Sequence, residues 1–171
     1  MRWIVLAAAL AVGCVPTVPP PSSATTVYLV RHAEKAAGDD PPLTPAGAAR
    51  AEALADVLAD ASVRAVYSSQ FVRARDTVAP LAERLGLDVT VLPIVGPDAD
   101  ATLRAQARQV AAENRGAAAV VAGHSNTVPT MIAELTGEPM ADLDESEYGD
   151  LFVVTVGADG TARLERRRFG D

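Results

Sequence analysis

Cysteine, aromatic side chains and positive charge are all scarce in this 171-residue chain. Cys14 is the only cysteine, so no disulfide can form within one chain. Aromatic residues make up 4% of the sequence, and a hydrophobic core must therefore be built mainly from valine, leucine and alanine. Lysine and arginine number 15 against 22 acidic residues, for a formal net charge of -7. Because clustered lysines and arginines bind a phosphate backbone, this charge argues against a nucleic-acid surface, and an anionic substrate would need a local positive pocket.

The N-terminal part of the chain lacks an apolar run long enough to cross a membrane as a helix. Its apolar run covers only residues 3–12, the length of a signal-peptide core rather than of a helix that crosses roughly 30 Å of hydrocarbon. We therefore predict a signal peptide over residues 1–13. Ala11-Val12-Gly13-Cys14 resembles a bacterial lipoprotein processing box, in which the cysteine becomes the lipidated first residue, although Ala11 stands where leucine is usual. A plain secretory signal cut near Ala11 or Gly13 is the alternative.

Residues 14–25 are rich in proline, serine and threonine, a composition that favours an extended tether. One folded domain is predicted to follow over residues 26–171, a length that supports a single sizeable core. With a lipid on Cys14, this domain would be exported and anchored to a membrane that faces the periplasm or the cell exterior.

Short β-rich segments alternate with segments of helical period along the domain. The segments predicted as strands are residues 26–30, 64–67, 89–92, 117–122 and 151–156. The segments predicted as helices are residues 45–59, 71–85, 103–111 and 128–135. Thr44 is the expected N-cap of the first helix and Pro45 its first residue, while Gly86 and Gly137 are expected to end the second and fourth helices.

Alternating strands and helices are typical of a mostly parallel sheet with helices on both faces. A turn at residues 157–160 would let residues 161–168 form a hairpin with the preceding strand, which adds an antiparallel edge. We therefore predict an α/β fold in the form of a three-layer α/β/α sandwich.

Both histidines of the chain come directly after predicted strands. His32, next to Arg31, follows the first strand, and His124 follows the fourth. Arg73 falls in the first turn of the helix after the second strand. Because ligands bind at the carboxyl ends of the strands in such sheets, the sequence predicts that these four side chains meet at one site.

This set of side chains suits phosphoryl transfer. Guanidinium groups match phosphate oxygens, a protonated imidazole adds a donor, and a neutral imidazole can be the nucleophile. One histidine must then be neutral and the other preferably charged. Taken singly, each residue could instead have a structural role, and Ser69 could simply cap a helix. A metal site of two histidines and a carboxylate is disfavoured by the two arginines, so we predict no metal ligand and no cofactor.

Four motifs occur in a fixed order along the domain. They are Arg31-His32-Ala33-Glu34-Lys35, Asp40-Pro41-Pro42-Leu43-Thr44-Pro45-Ala46-Gly47, Ser68-Ser69-Gln70-Phe71-Val72-Arg73-Ala74-Arg75-Asp76-Thr77 and Gly123-His124-Ser125. Together they resemble the signature of the histidine phosphatase superfamily, also called the phosphoglycerate mutase-like family. The resemblance covers residues 27 to about 128 and implies the phosphoglycerate mutase-like fold.

The resemblance also implies a mechanism. His32 would attack phosphorus and become a transient phosphohistidine, which water would then hydrolyse without a metal. Arg31, Arg73 and His124 would bind the phosphoryl oxygens and stabilise the transition state. Ser125 or Asn126 would donate a further hydrogen bond to phosphate or else cap the following helix.

Members of this family usually carry a carboxylic acid that protonates the leaving oxygen, at a position that varies. Glu34 is the first candidate proton donor in this chain, and Asp98 and Asp100 are the others. Without such an acid, phosphoramidates would be better substrates than alkyl phosphates, because the poorer leaving group depends more on protonation. The acidic residues interpreted as surface charges are Glu145, Glu147 and Asp150.

The predicted function is that of a metal-independent phosphatase for small or exposed phosphorylated substrates, since the chain is near the minimal size of the fold and has little room for a specificity cap. The nearest alternative is a mutase-type phosphoryl transferase. An inactive surface lipoprotein that binds phosphoanions is the alternative from another functional class.

Overall fold

The computed structural model describes residues 24–96 and 98–170. The predicted signal peptide, Cys14 and the tether up to residue 23 lie outside the described residues. The elements in chain order are β1 (Thr25–Arg31), α1 (Pro45–Leu58), β2 (Val63–Ser68), α2 (Val72–Leu85), β3 (Val89–Val91), α3 (Ala99–Glu113), β4 (Ala118–Gly123), α4 (Thr127–Thr136), β5 (Asp150–Val156) and β6 (Ala162–Arg168).

The strands form a single mixed sheet in the order β3-β2-β4-β1-β5-β6. β3, β2, β4 and β1 are parallel neighbours. β5 runs antiparallel to β1, and β6 pairs antiparallel with β5 through the predicted hairpin. The predicted α/β fold with an antiparallel edge is confirmed, and the antiparallel part comprises two strands because β5 already opposes β1.

Helices cover both faces of the sheet, as a three-layer sandwich requires. Alternate residues of β1 divide between two cores because successive side chains of a strand point to opposite faces. Val30 packs in the core that contains residues of α1 and α2. Leu29 packs in the core that contains residues of α3 and α4.

The ends of the helices follow the local signals in the sequence. The Thr44 hydroxyl accepts a hydrogen bond from the Gly47 N–H at 3.1 Å, which caps α1, and Pro45 is its first residue. Gly86 and Gly137 end α2 and α4 in the left-handed conformation that glycine adopts most readily. β1 begins at Thr25, one residue before its predicted start, because Thr25 pairs with the end of β5.

Gly47 also places α1 against the loop that follows β1. A Cβ atom at this position would lie 2.2 Å from the Glu34 carbonyl oxygen, so a side chain could not be accommodated without moving the backbone. The glycine therefore lets the helix approach the segment that carries His32.

Candidate active site

The carboxyl ends of β1, β2 and β4 lie at one edge of the sheet, and they place both histidines, Arg31 and Arg73 there. Arg31 is the last residue of β1 and His32 follows it, while His124 follows β4. The His32 N–H donates to the Gly123 carbonyl at 2.9 Å, which continues the β1–β4 pairing beyond the strand ends. The two imidazole rings consequently lie edge to face with their centroids 5.3 Å apart.

The surroundings of His32 keep its imidazole ring neutral. Its Nδ1 lies 2.8 Å from the Ala33 carbonyl oxygen, and because a carbonyl only accepts, Nδ1 carries the proton and Nε2 keeps its lone pair. Burial of the ring, together with the charges of Arg73 and Arg31, lowers the pKa of His32 to about 4, although the hydrogen bond to Ala33 opposes the shift. The ring is therefore uncharged near neutral pH, as attack by Nε2 requires.

His124 is also neutral in this environment. Its Nε2 lies 2.8 Å from the Ser69 hydroxyl, and its Nδ1 lies 3.5 Å from Nη2 of Arg73, which can only donate. Burial and then the charge of Arg73 lower the pKa of His124 to about 3. The expectation that one histidine is charged is thus not met by the protein alone, but a phosphoryl dianion beside the ring would raise this pKa.

Two guanidinium groups flank the imidazoles, that of the buried Arg31 and that of Arg73, whose side chain is 14% exposed. Nη1 of Arg31 donates to the carbonyl oxygens of Asp144 and Glu147 at 2.8 and 3.3 Å. Its guanidinium carbon lies 4.3 Å from the centre of the Tyr148 ring. Among the buried side-chain atoms of the described residues, only Nε of Arg31 and Nε of Arg73 have no hydrogen-bond partner. Because buried donors are normally satisfied, this pair of free donors indicates a site for an anion.

A cavity of about 520 Å³ opens at this edge. The residues that line it are Arg31, His32, Lys35, Phe71, Arg73, Ile94, His124, Ser125, Asn126, Thr127, Glu145 and Tyr148. A larger cavity of about 770 Å³ lies at the opposite end of β1, beside Thr25 and Val156, and neither histidine lines it. Volume alone therefore does not identify the site, whereas the two histidines and the free arginine donors do.

Ser125 and Asn126 are both brought to the cavity. The Ser125 carbonyl accepts from the Leu143 N–H at 2.9 Å. Asn126 occupies the N-cap position of α4 but makes no capping hydrogen bond with its side chain. The Thr127 hydroxyl instead accepts from the His124 N–H at 2.8 Å. Ser69, interpreted from the sequence as a possible helix cap, contacts His124 instead.

The structure does not bring the candidate acid Glu34 to the cavity. Nε and Nη2 of Arg50 bind its carboxylate at 2.8 to 3.0 Å, in a half-buried pair away from the cavity-lining residues. Burial raises the pKa of Glu34, but the hydrogen bonds and charge of Arg50 outweigh it and hold the pKa below its usual value. A carboxylate kept ionised in this way is a poor proton donor.

Asp98 and Asp100 also lie outside the cavity lining. Asp98 is the N-cap of α3, where its carboxylate accepts from the Ala101 N–H at 2.9 Å. Asp100 is exposed in the first turn of the same helix, where a negative charge is favourable. Both side chains are therefore suited to the start of α3.

The sequence interpretation missed Glu145 and Tyr148, which both line the cavity. Within the described lining, Glu145 supplies the carboxylate, and it is exposed, as expected of a surface charge. The interpretation of Asp150 as a surface charge was wrong, because it is 3% exposed and pairs with Arg166 at 2.6 Å. The available signal was that Glu145 and Tyr148 lie in the segment before β5, which begins at Asp150 and pairs with β1. That pairing exists only in the assembled sheet.

Two further properties hold for the described part of the chain. No group of three histidine, cysteine, aspartate or glutamate side chains within it is placed to hold one metal ion. None of its helices is both long and apolar enough to span a membrane.

Comparison with known protein families supports the sequence resemblance over part of its span. Residues 27–95 match the family model of the histidine phosphatase superfamily (branch 1). No curated protein matches the chain.

Solved structures match the fold over most of the chain. The protein histidine phosphatase SixA complexed with tungstate is 26% identical with a TM-score of 0.65, over 84% of this chain and 96% of that one. A phosphoglycerate mutase from Bacillus anthracis is 18% identical with a TM-score of 0.66, over 88% and 95% of the two chains. A mycobacterial glucosyl-3-phosphoglycerate phosphatase is 18% identical with a TM-score of 0.65, over 86% and 99%. The last two likenesses concern the fold alone.

The motif order, the phosphoglycerate mutase-like fold and the family match over residues 27–95 agree with one another. Residues 27–95 are thus similar to the histidine phosphatase superfamily, and the fold over most of the chain is similar to that of a protein histidine phosphatase.

Proposed function

We propose that this protein is a metal-independent phosphatase that hydrolyses phosphoramidates or exposed phosphate monoesters through a phosphohistidine on His32. The observation that carries the proposal is the pair of buried arginine Nε donors without partners, placed beside a histidine whose Nδ1 is protonated. Together they provide an anion receptor and a nucleophile within one cavity.

In the first step, the Nε2 lone pair of His32 forms a bond to phosphorus while the bond from phosphorus to the leaving atom breaks. The leaving atom takes that electron pair and a proton. Arg31, Arg73 and His124 would bind the phosphoryl oxygens as charge shifts during transfer. The Nδ1–H bond to Ala33 stabilises the positive charge that develops on the ring of His32.

In the second step, a water oxygen attacks phosphorus from the opposite side and the nitrogen–phosphorus bond breaks. The electron pair returns to Nε2, inorganic phosphate leaves and the water proton passes to solvent. A mutase would have to keep water away from this intermediate. The cavity is lined by several exposed or half-exposed residues, among them Lys35, Ser125 and Glu145, which favours hydrolysis.

Glu145 is the proposed proton donor to the leaving atom, because it brings a carboxylate to the cavity. Arg31 holds the carbonyl oxygens of Asp144 and Glu147, on either side of Glu145, so the group that binds phosphate also positions the donor loop.

A protein-bound phosphohistidine is the substrate class we favour. The solved structure of a protein histidine phosphatase is 26% identical to this chain over 84% of its length. A phosphoramidate also has a leaving nitrogen that is easily protonated, so an open site with one exposed acid suffices for its hydrolysis.

The test is hydrolysis of p-nitrophenyl phosphate and of a phosphohistidine peptide in the presence of EDTA, by the wild type and by His32→Ala. Wild-type turnover with loss of at least about a thousandfold in the variant is expected, because the nucleophile is removed. Equal rates in the two proteins would refute the assignment. No turnover by the wild type, with phosphate still bound, would favour the inactive phosphoanion-binding alternative.

The intermediate gives a second, independent readout. Wild-type protein quenched in alkali during turnover should carry one phosphoryl group on His32 by mass spectrometry, since phosphohistidine is the proposed intermediate. Phosphate found on a different residue would contradict the mechanism.

We also propose that Cys14 carries a lipid that anchors the exported protein to a membrane. Support comes from the apolar run over residues 3–12, which leads into Ala11-Val12-Gly13-Cys14. Cys14→Ala should release the protein from the membrane fraction, and unchanged membrane attachment would contradict lipidation at this residue.

A further inference from the structure

The loop between β1 and α1 folds back across the sheet edge toward the start of α2. Its base is closed by a hydrogen bond from the Ala36 N–H to the Pro42 carbonyl at 3.0 Å and by a bridge between Lys35 and Leu43. Asp40 lies within this closed loop, and its carboxylate contacts the first turn of α2. The loop therefore links the segment after the nucleophile to the helix that carries Arg73.

The Asp40 carboxylate supplies the cap that α2 lacks in its own sequence. Phe71 occupies the N-cap position and makes no capping hydrogen bond with its side chain. Asp40 accepts from the Val72 N–H at 3.0 and 3.3 Å through its two carboxylate oxygens. The same carboxylate accepts from Nη1 of Arg73 at 3.4 Å.

These contacts complete the enclosure of the Arg73 guanidinium. Its Nη2 lies 3.5 Å from Nδ1 of His124, and its central carbon lies 4.5 Å from the centre of the Phe71 ring. Nε is left without a partner. The side chain is 14% exposed, so it is fixed before any ligand arrives.

We infer that Asp40 is a positioning residue that orients the Arg73 guanidinium toward the phosphoryl group. This inference rests on the proposed function, because Arg73 binds phosphate in that scheme. A guanidinium held in its bound orientation avoids the loss of side-chain freedom on binding, and this raises affinity for the anion.

The sign of the effect separates positioning from simple electrostatics. Asp40 is negatively charged near an anion site, so its charge alone opposes phosphate binding, and its removal should tighten binding. Loss of positioning should weaken binding. Asp39 is the matched control, because it is the adjacent aspartate, is exposed, and makes no hydrogen bond or ion pair among the described residues.

The experiment measures the Kd of inorganic phosphate by calorimetry, together with kcat/KM for p-nitrophenyl phosphate. The variants are Asp40→Ala, Asp40→Asn, Asp39→Ala, Arg73→Ala and the double variant Asp40→Ala with Arg73→Ala. Asp40→Ala should weaken phosphate binding about tenfold, and Asp40→Asn by less, because the Asn carbonyl oxygen can still accept from Val72 and Arg73. Asp39→Ala should leave binding unchanged or slightly tighter.

The double variant tests whether Asp40 acts through Arg73. In the Arg73→Ala background, Asp40→Ala should have no further weakening effect on the phosphate Kd, because the group it positions is absent. If Asp40→Ala weakened phosphate binding as much in the Arg73→Ala background as in the wild type, the inference would be overturned. Tighter phosphate binding in Asp40→Ala would also overturn it, since that is the electrostatic result.

A purely structural role for Asp40 is distinguished by its stability signature. A lower Tm of Asp40→Ala with an unchanged phosphate Kd well below that Tm would mean that Asp40 only caps α2, and would overturn the inference. Absence of His32-dependent turnover in the wild type would refute the proposed function instead. The series of phosphate Kd values would still test Asp40, because binding does not require turnover.

Discussion

Arg31 and Arg84 occupy opposite environments in the same molecule. Arg84 on α2 is 37% exposed at its side chain, pairs with Glu52 at 2.6 Å and also pairs with Asp56. Arg31 is 5% exposed, and its guanidinium donates to backbone carbonyls. The exposed cation has two carboxylate partners, whereas the buried one donates to no carboxylate within the described residues and retains a free Nε donor.

This difference distinguishes a binding site from a solvated surface pair. A buried charge without a counter-charge is costly, and the cost is offset when a ligand supplies the missing charge. An exposed pair is screened by water and contributes little. On an acidic chain of net charge -7, a buried arginine without a carboxylate partner, as Arg31 is within the described residues, is therefore the more informative sign of function.

The largest effect on turnover is expected from replacing Arg31, the buried arginine of the two. Arg31→Ala should lower kcat/KM for p-nitrophenyl phosphate by about 100- to 1000-fold, because one donor to the transition state and the anchor of the loop around Glu145 are lost. Arg84→Ala should change it less than about twofold, since an exposed pair contributes little. Steady-state kinetics of the two variants make the check, and similar losses in both would undermine the comparison.

A smaller and selective effect is expected at Glu145. Glu145→Gln should lower kcat/KM for an alkyl phosphate by about 10- to 100-fold, because that leaving oxygen needs a proton. The rate for p-nitrophenyl phosphate, whose leaving group is good, should change little. Glu147→Gln, two residues away, is the control, and an equal loss on both substrates in Glu145→Gln would argue against a proton donor.

The two buried histidines make the free energy of unfolding depend on pH. The lowered pKa values of about 4 for His32 and about 3 for His124 mean that the unfolded chain, with an imidazole pKa near 6.5, binds more protons below that pH. Their contribution to the free energy of unfolding is complete above about pH 6.5. It should fall by about 2 kcal/mol per histidine between pH 6.5 and pH 5.

Urea unfolding at pH 7, 6 and 5 measures this dependence. His32→Asn should remove about half of the histidine contribution, because only His124 then remains to take up a proton on unfolding. An unchanged pH dependence in the variant would contradict the lowered pKa of His32.

The smallest effect is expected at the ion pair of Glu34 and Arg50. Glu34→Gln should lower the free energy of unfolding by about 1 kcal/mol, because a half-buried ion pair loses its charge. Turnover of alkyl and aryl phosphates should stay within about twofold of wild type, since the pair lies outside the cavity lining. A loss confined to alkyl phosphates would restore Glu34 as the proton donor.

Local patterns in the sequence were sufficient for the architecture and for the edge where the site lies. The five predicted strands and four helices are all present, with boundaries displaced by a few residues at most for all but α3, which extends four residues before its predicted start. β3 lies at the edge of the sheet and is not buried. The reason is that strand and helix periodicity, caps and glycine stops are local signals. The convergence of Arg31, His32, Arg73 and His124 follows from parallel strands whose carboxyl ends share one edge.

Long-range contacts explain what the sequence interpretation missed. Glu34 lies two residues after His32 in sequence, but Arg50 of α1 binds its carboxylate and keeps it ionised. Asp150 was expected at the surface, yet pairing with Arg166 across the β5–β6 hairpin allows its burial. In both cases the partner lies 16 residues away and is specified by packing rather than by a motif.

Local periodicity establishes where each strand stops, and therefore which residue types occur at the strand ends. The state of those residues depends on the folded protein, which sets whether an arginine has a carboxylate partner, which ring nitrogen carries a proton, and which carboxylate lines the cavity. Charge and protonation depend on burial and on neighbours distant in sequence, and these exist only once the sheet and its helices are assembled.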